Sequence, residues 1–267
     1  MSEQTVQERM KNVKHTILVL SGKGGVGKST CALQLATSLS LLGMKVGLLD
    51  TDVCGPSLPT MTGKTNCDVI QSADGWSPVP VTDNLSVMSI GFLLPNQDDP
   101  VVWRGPRKTG MITQFLTLTN FGQLDYLIID TPPGTSDEHL AIVQSLTAAR
   151  PDGCVLVSTP QDVATLDVRK EISFARKMNI TTLGFIENMS GFACPDCSHV
   201  THIFGKGGGE ALAREAAIPF LGHVPLDPEL AEAEETGAVF LEQHPDSATA
   251  AAWRSISQAL LAQIPSE

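Results

Sequence analysis

A doubly wound α/β architecture, a mostly parallel sheet with helices on both faces, is predicted from three observations. Short, continuous apolar runs alternate along the chain with longer stretches whose apolar residues recur at helical spacing. The runs do not alternate apolar and polar residues, as expected for strands buried on both faces. Several of them end on a polar or acidic residue followed by a loop punctuated by glycine or proline, where ligands of open α/β sheets bind.

In order, residues 17–20 read as the first strand, and a helix starting at Lys28 shows apolar periodicity over 31–42, up to Gly43. Residues 45–50 form a second strand ending at Asp50, followed by a Gly/Pro-rich loop to Pro59. From 63 to 99 the pattern loosens into short strands and loops. Trp103-Arg104-Gly105-Pro106 opens a helix to about Thr119, with Pro106 suited to its first turn. Residues 124–130 form a strand ending at Asp130. Helix 136–146, strand 153–159, helix 165–177 and strand 183–188 then alternate as βα units do. Beyond a loop come helix 208–216, strand 220–224 and helices 228–236 and 248–264. Residues 1–14 read as a polar tail and 15–267 as one domain, with a special loop at 189–204.

The chain has 267 residues, enough to bury a sizeable core, with 18 basic against 29 acidic residues and a formal charge of −11. That balance opposes a phosphate backbone or an anionic bilayer, so neither nucleic acid nor membrane is expected as a partner. In the closing helix Arg254 is the one basic residue, so the apolar edge of Leu260, Leu261 and Ile264 is expected to pack on the body. Residues 1–14 lack the apolar core of a signal peptide, and no later run reaches the ~20 apolar residues of a membrane span. A cytoplasmic location follows, and there the six cysteines point to thiols or metal ligands rather than disulfides.

The most informative stretch is Ser21 to Thr30, Ser-Gly-Lys-Gly-Gly-Val-Gly-Lys-Ser-Thr. Between a strand and a helix, Gly22 to Ser29 fits the phosphate-loop pattern. Gly22, Gly24, Gly25 and Gly27 let consecutive N–H groups around Val26 turn toward phosphate oxygens, and the helix adds its positive end, through Thr30. Lys28 is placed to reach the β- and γ-phosphates and Ser29 to ligate Mg2+, with Asp130 as the strand-end carboxylate behind the metal. Lys23 is a second lysine in the loop. It gives a form that resembles the deviant phosphate loops of the nitrogenase iron protein, cell-division positioning ATPases and Mrp-type ATPases. That resemblance implies that Lys23 reaches the nucleotide of a partner subunit and that Asp52 positions the attacking water, with Asp50 the weaker choice.

Cys194 and Cys197 form the second informative feature. Two thiolates three positions apart supply one edge of a site, whereas tetrahedral zinc or a 4Fe-4S cluster usually takes four ligands. The economical completion is the same pair from a second subunit across a two-fold axis. Zinc completed by His199 and His202, a dithiol redox pair and inert loop cysteines are the alternatives. Cys31, Cys54, Cys67 and Cys154 are poor completions.

Taken together, the two-lysine loop, Leu-Leu-Asp-Thr-Asp-Val-Cys-Gly-Pro-Ser from Leu48, Trp-Arg-Gly-Pro from Trp103, Asp-Thr-Pro-Pro-Gly-Thr-Ser-Asp from Asp130, Glu-Asn-Met-Ser-Gly-Phe from Glu187 and the cysteine pair resemble the Mrp-type iron–sulfur scaffold ATPases. Within them the chain looks like the short-subunit type of the eukaryotic cytosolic scaffold, since residues 1–14 hold no cysteine. Bacterial or archaeal homodimeric carriers remain open. The resemblance implies ATP and Mg2+, a bridging 4Fe-4S cluster passed to apo iron–sulfur proteins, and Asn188 as a reader of adenine. It also implies a homodimer or a hetero-oligomer with a longer paralogue, assisted by targeting factors. A positioning ATPase with a structural zinc and a nucleotide-gated electron carrier are the competing classes.

Overall fold

A computed structural model describes residues 3–52, 55–93, 105–134, 137–194, 197 and 199–264. Cys54, Trp103, Arg104, Thr135, Ser136, Pro195 and Asp196, singled out in the sequence, lie outside the described residues. The elements run α1 (Glu3–Met10), β1 (Val13–Leu20), α2 (Lys28–Leu41), β2 (Val46–Asp50), α3 (Leu58–Met61), β3 (Ile70–Ser72), β4 (Gly75–Ser77), β5 (Val79–Pro80) and β6 (Leu85–Met88). There follow α4 (Gly105–Leu118), β7 (Leu124–Asp130), α5 (Asp137–Leu146), β8 (Gly153–Ser158), α6 (Asp162–Lys177), β9 (Thr182–Glu187), β10 (Phe192–Ala193) and β11 (Val200–Thr201). The chain closes with α7 (Gly208–Ala216), β12 (Phe220–His223), α8 (Pro228–Thr236), α9 (Phe240–Gln243) and α10 (Ala248–Leu261).

Eight strands form one sheet in the order β12-β9-β8-β1-β7-β2-β6-β5. Every neighbouring pair is parallel except β5 with β6. The apolar runs occupy its centre: Ile17, Leu18, Leu48, Leu49, Leu127, Ile129, Val155, Val157 and Phe185 are all fully buried. From β1 to β2 the chain moves one way along the sheet, and from β6 through β7, β8, β9 and β12 it moves the other way. Right-handed crossovers therefore put α2 on one face and α4, α5, α6 and α7 on the opposite face. The contacts agree, since α10 packs on α2 whereas α4 meets α5 and α6 meets α7.

This winding brings the carboxyl ends of β1, β7, β2, β8 and β9 together along one rim. Those strand ends, the loops after them and the first turn of α2 carry every residue the sequence marks for nucleotide chemistry.

Two expectations need correction. Residues 3–10, read as part of a polar tail, form α1, whose Val6 and Met10 are buried where the helix packs against α4. The two side chains lie four apart on one face of an otherwise polar helix, too narrow a stripe to register as a periodic pattern. The first strand also begins at Val13 rather than 17, because Val13 pairs with Leu124 at the start of β7. The expected apolar edge of the closing helix does pack on the body, with Leu260 buried and Leu261 and Ile264 partly buried against the core, although α10 ends at Leu261 rather than 264. Among the described residues no helix is long and apolar enough to cross a membrane.

Candidate nucleotide site and cysteine hairpin

The phosphate-loop pattern sits between the central strand β1 and helix α2. Gly27, the residue before α2, adopts the left-handed conformation (φ +77°), as does Gly25 (φ +80°), a geometry a side chain disfavours. Lys28, Ser29 and Thr30 then form the first turn of α2, whose N–H groups have no partner within the helix and face the loop. The loop is braced from neighbouring strand ends. Gly134 N–H, after β7, donates to the Ser21 carbonyl (2.9 Å). Asn188, after β9, donates its side-chain amide to the Val26 carbonyl (2.9 Å).

Asp130 is fully buried and is where Lys28 and Ser29 meet. The Lys28 ammonium pairs with its Oδ1, and Ser29 Oγ donates to its Oδ2 at 2.6 Å. Lysine charge, serine hydroxyl and strand-end carboxylate thus share one point, with the hard oxygen donors that Mg2+ prefers. Asp50 is the register partner of Asp130 on β2 and is equally buried. Burial first, and the Asp130 charge second, push the Asp50 carboxyl up to about 8. Ser89 Oγ (2.9 Å) and the Asp52 N–H (3.0 Å) donate to it. Asp52 itself is half-buried just past the strand end, and Lys23 is exposed.

Two residues expected at the nucleotide also bond within the chain. The Thr30 hydroxyl faces away from the loop and donates to Glu234 on α8 (2.8 Å), so Thr30 offers the cradle its backbone N–H alone. Gln34 also donates to Glu234 (3.0 Å), whose carboxyl burial pushes upward. The Asn188 amide expected to read adenine is bonded to the loop backbone in this structure. Glu234 and Ser89 were not legible as site residues. Their partners lie far away in sequence, and neither belongs to a recognisable spacing.

The cysteine pair stands at the tip of a hairpin made by β10 and β11, in which Phe192 pairs with Thr201 and Ala193 with Val200. Cys194 N–H donates to the His199 carbonyl (3.0 Å), closing the turn, and Cys197 is exposed. His202 Nδ1 lies 2.8 Å from the Ser190 carbonyl and can only donate there, so the ring is committed to the hairpin base. Among the described residues no three of His, Cys, Asp and Glu are grouped to hold a metal ion. Burial pushes the Cys31 thiol far above its ordinary value and that of Cys154 up to about 12, so both are inert packing residues at neutral pH.

A family model described as the NUBPL iron-transfer P-loop NTPase, of the ParA type, matches residues 12–261. The cytosolic Fe-S cluster assembly factor NUBP2 homolog of Nematostella vectensis is 58% identical over 237 residues, 88% of each chain. The cytosolic Fe-S cluster assembly factor NUBP2 of Bos taurus is 52% identical over 258 residues, 96% of this chain and 95% of that protein. Among solved structures, a nucleotide-binding protein in complex with ADP from Archaeoglobus fulgidus superposes with a TM-score of 0.78 at 39% identity, covering 88% of this chain and 91% of that one. The cell division ATPase MinD of Pyrococcus furiosus gives 0.66 at 21% identity over 93% and 99%, a likeness of fold alone.

Proposed function

Because the chain belongs to the family of NUBPL-type iron-transfer P-loop NTPases, we propose that it is an ATP-dependent scaffold of the cytosol. It holds a 4Fe-4S cluster as cargo on Cys194 and Cys197 and passes it to apo iron–sulfur proteins. The observation that carries this reading is the hairpin. It carries the half-buried Cys194 and the exposed Cys197 three positions apart between β10 and β11, the spacing of one edge of a shared site. A second subunit, identical or a longer paralogue, supplies the other pair of thiolates.

Hydrolysis follows the residues around the loop. The loop N–H groups and Lys28 take up the charge of the β- and γ-phosphates, while Ser29 and Asp130 supply oxygen donors to the Mg2+ that accompanies ATP. Asp52 orients the water that attacks the γ-phosphorus as the bond to ADP breaks. Lys23, exposed on the rim, extends to the nucleotide of the other subunit. Asn188 has a double role, bracing Val26 and reading the adenine edge through its amide.

The test is anaerobic reconstitution of the full chain followed by iron and sulfide counting. We expect about four irons per dimer, lost when Cys194 and Cys197 are both replaced by alanine; a double variant that keeps its cluster sinks the proposal.

A further inference from the structure

The phosphate loop and the cysteine hairpin are tied to opposite ends of one short segment, Glu187 to Ser190. At one end, Asn188 donates to the Val26 carbonyl, and a Cβ at Gly27 would collide with the Asn188 amide. At the other end, the Ser190 carbonyl receives His202 from the base of the hairpin (2.8 Å), and Leu226 N–H bonds the Gly191 carbonyl (2.8 Å). Between them Met189 is held in the left-handed conformation (φ 55°), a state a methionine adopts only when its surroundings impose it. Its terminal methyl would lie 3.5 Å from a Cβ added at Gly27.

Beneath the segment lies a fully buried carboxylate. Glu187 Oε1 receives the Ser190 hydroxyl (2.6 Å) and His223 Nδ1 (3.0 Å), and its Oε2 receives the Gly209 N–H at the start of α7 (2.7 Å). The Ser190 hydroxyl also lies 3.1 Å from His223 Nδ1. The segment is also seated through its backbone, with Asn188 N–H on the Ser158 carbonyl (2.8 Å) and Ser190 N–H on the Val224 carbonyl (2.9 Å), and the Ser190 hydroxyl adds the one side-chain bond from the segment to Glu187. A movement of Val26 that released Asn188 would act on Met189, the neighbour of Ser190, whose carbonyl His202 holds.

We infer that Ser190 and His202 are positioning residues that transmit the state of the phosphate loop to the cysteine hairpin. In this role the Ser190–Glu187 bond holds the segment in one of its two arrangements. The inference rests on the scaffold reading and names how its two sites are coupled.

The experiment uses the full chain, reconstituted anaerobically, with apo-aconitase as acceptor. It reads three quantities: cluster content, the KM for ATP, and the ratio of cluster-transfer rates with and without ATP. Ser190→Ala and His202→Ala are each expected to keep cluster content and KM within about twofold of the parent protein. In both, the ATP-dependent ratio falls at least fivefold toward one, and Ser190→Thr, which restores a hydroxyl, recovers it. His202 is exposed, so its variant reads the coupling even where Ser190→Ala folds poorly. Ratios unchanged in both alanine variants overturn the inference, as does a loaded parent protein whose transfer ignores ATP. A parent protein that takes up no cluster overturns the scaffold reading, and this inference with it.

Discussion

Asp50 and Asp130 face each other across neighbouring parallel strands, both fully buried, and Lys28 pairs with Asp130. Two carboxylates and one ammonium leave a charge too many for so dry a place, and Asp50 answers by holding a proton, its carboxyl pushed up to about 8. An unfolded aspartate titrates near ~3.9. Between these values the folded chain binds a proton that the unfolded chain lacks, so stability falls as pH rises. Asp50→Asn is expected to remove that slope. Its stability relative to the parent should grow from pH 5 to pH 8 by up to about 1.4 kcal/mol per pH unit. Urea unfolding without nucleotide at each pH checks this; parallel curves for the two proteins would refute it.

Removing the cation from this cluster should cost both fold and chemistry. Lys28→Met leaves Asp130 buried without its ion-pair partner, a change worth about 3–5 kcal/mol. Hydrolysis should drop by roughly 100-fold or more. Thermal unfolding and phosphate release measured on the same preparation read the two effects.

Lys23 predicts the opposite division. Exposed on the loop, it should tolerate Lys23→Gln within about 0.5 kcal/mol of stability. If it serves the partner's nucleotide, turnover should still fall by more than about tenfold. Full ATPase activity in this variant, assayed at protein concentrations where the chain is paired, would remove the trans role.

Gly27→Ala tests the seat of Asn188. It combines an unfavourable left-handed conformation with a collision against the Asn188 amide, and should lower stability by about 2–3 kcal/mol and abolish ATP binding. Gly43→Ala is the control. It has a similar φ (+86°) with nothing within 4 Å of the added atom, and should cost about 1–2 kcal/mol while leaving ATP binding intact. Equilibrium binding of a fluorescent ATP analogue separates the two.

Most of the architecture was legible because the central strands are buried on both faces and therefore read as unbroken apolar runs. The boundaries of β7, α7 and α8 agree with the sequence reading to the residue. The phosphate loop was legible for a chemical reason, since its glycines and Lys28-Ser29 have few other uses at that spacing. What escaped are relationships with no local signature. The Glu234–Thr30 bond joins residues 204 positions apart, and Ser89 meets Asp50 only because β6 pairs with β2. The hairpin strands β10 and β11 are two residues each, shorter than any alternation can reveal. Helix α1 escaped because two buried side chains make no pattern.

The far edge of the main sheet is a strand of two residues, one of them Pro80, running against the direction of all the others. A proline has no N–H to give to a neighbour, and so short an edge offers another chain almost nothing to align with. The opposite edge, β12, is interrupted by an irregularity between Phe220 and Gly222. Neither margin is suited to zippering onto a copy of itself, so fibre-like growth is disfavoured, and contacts between copies fall to side chains and loops, which can be released again.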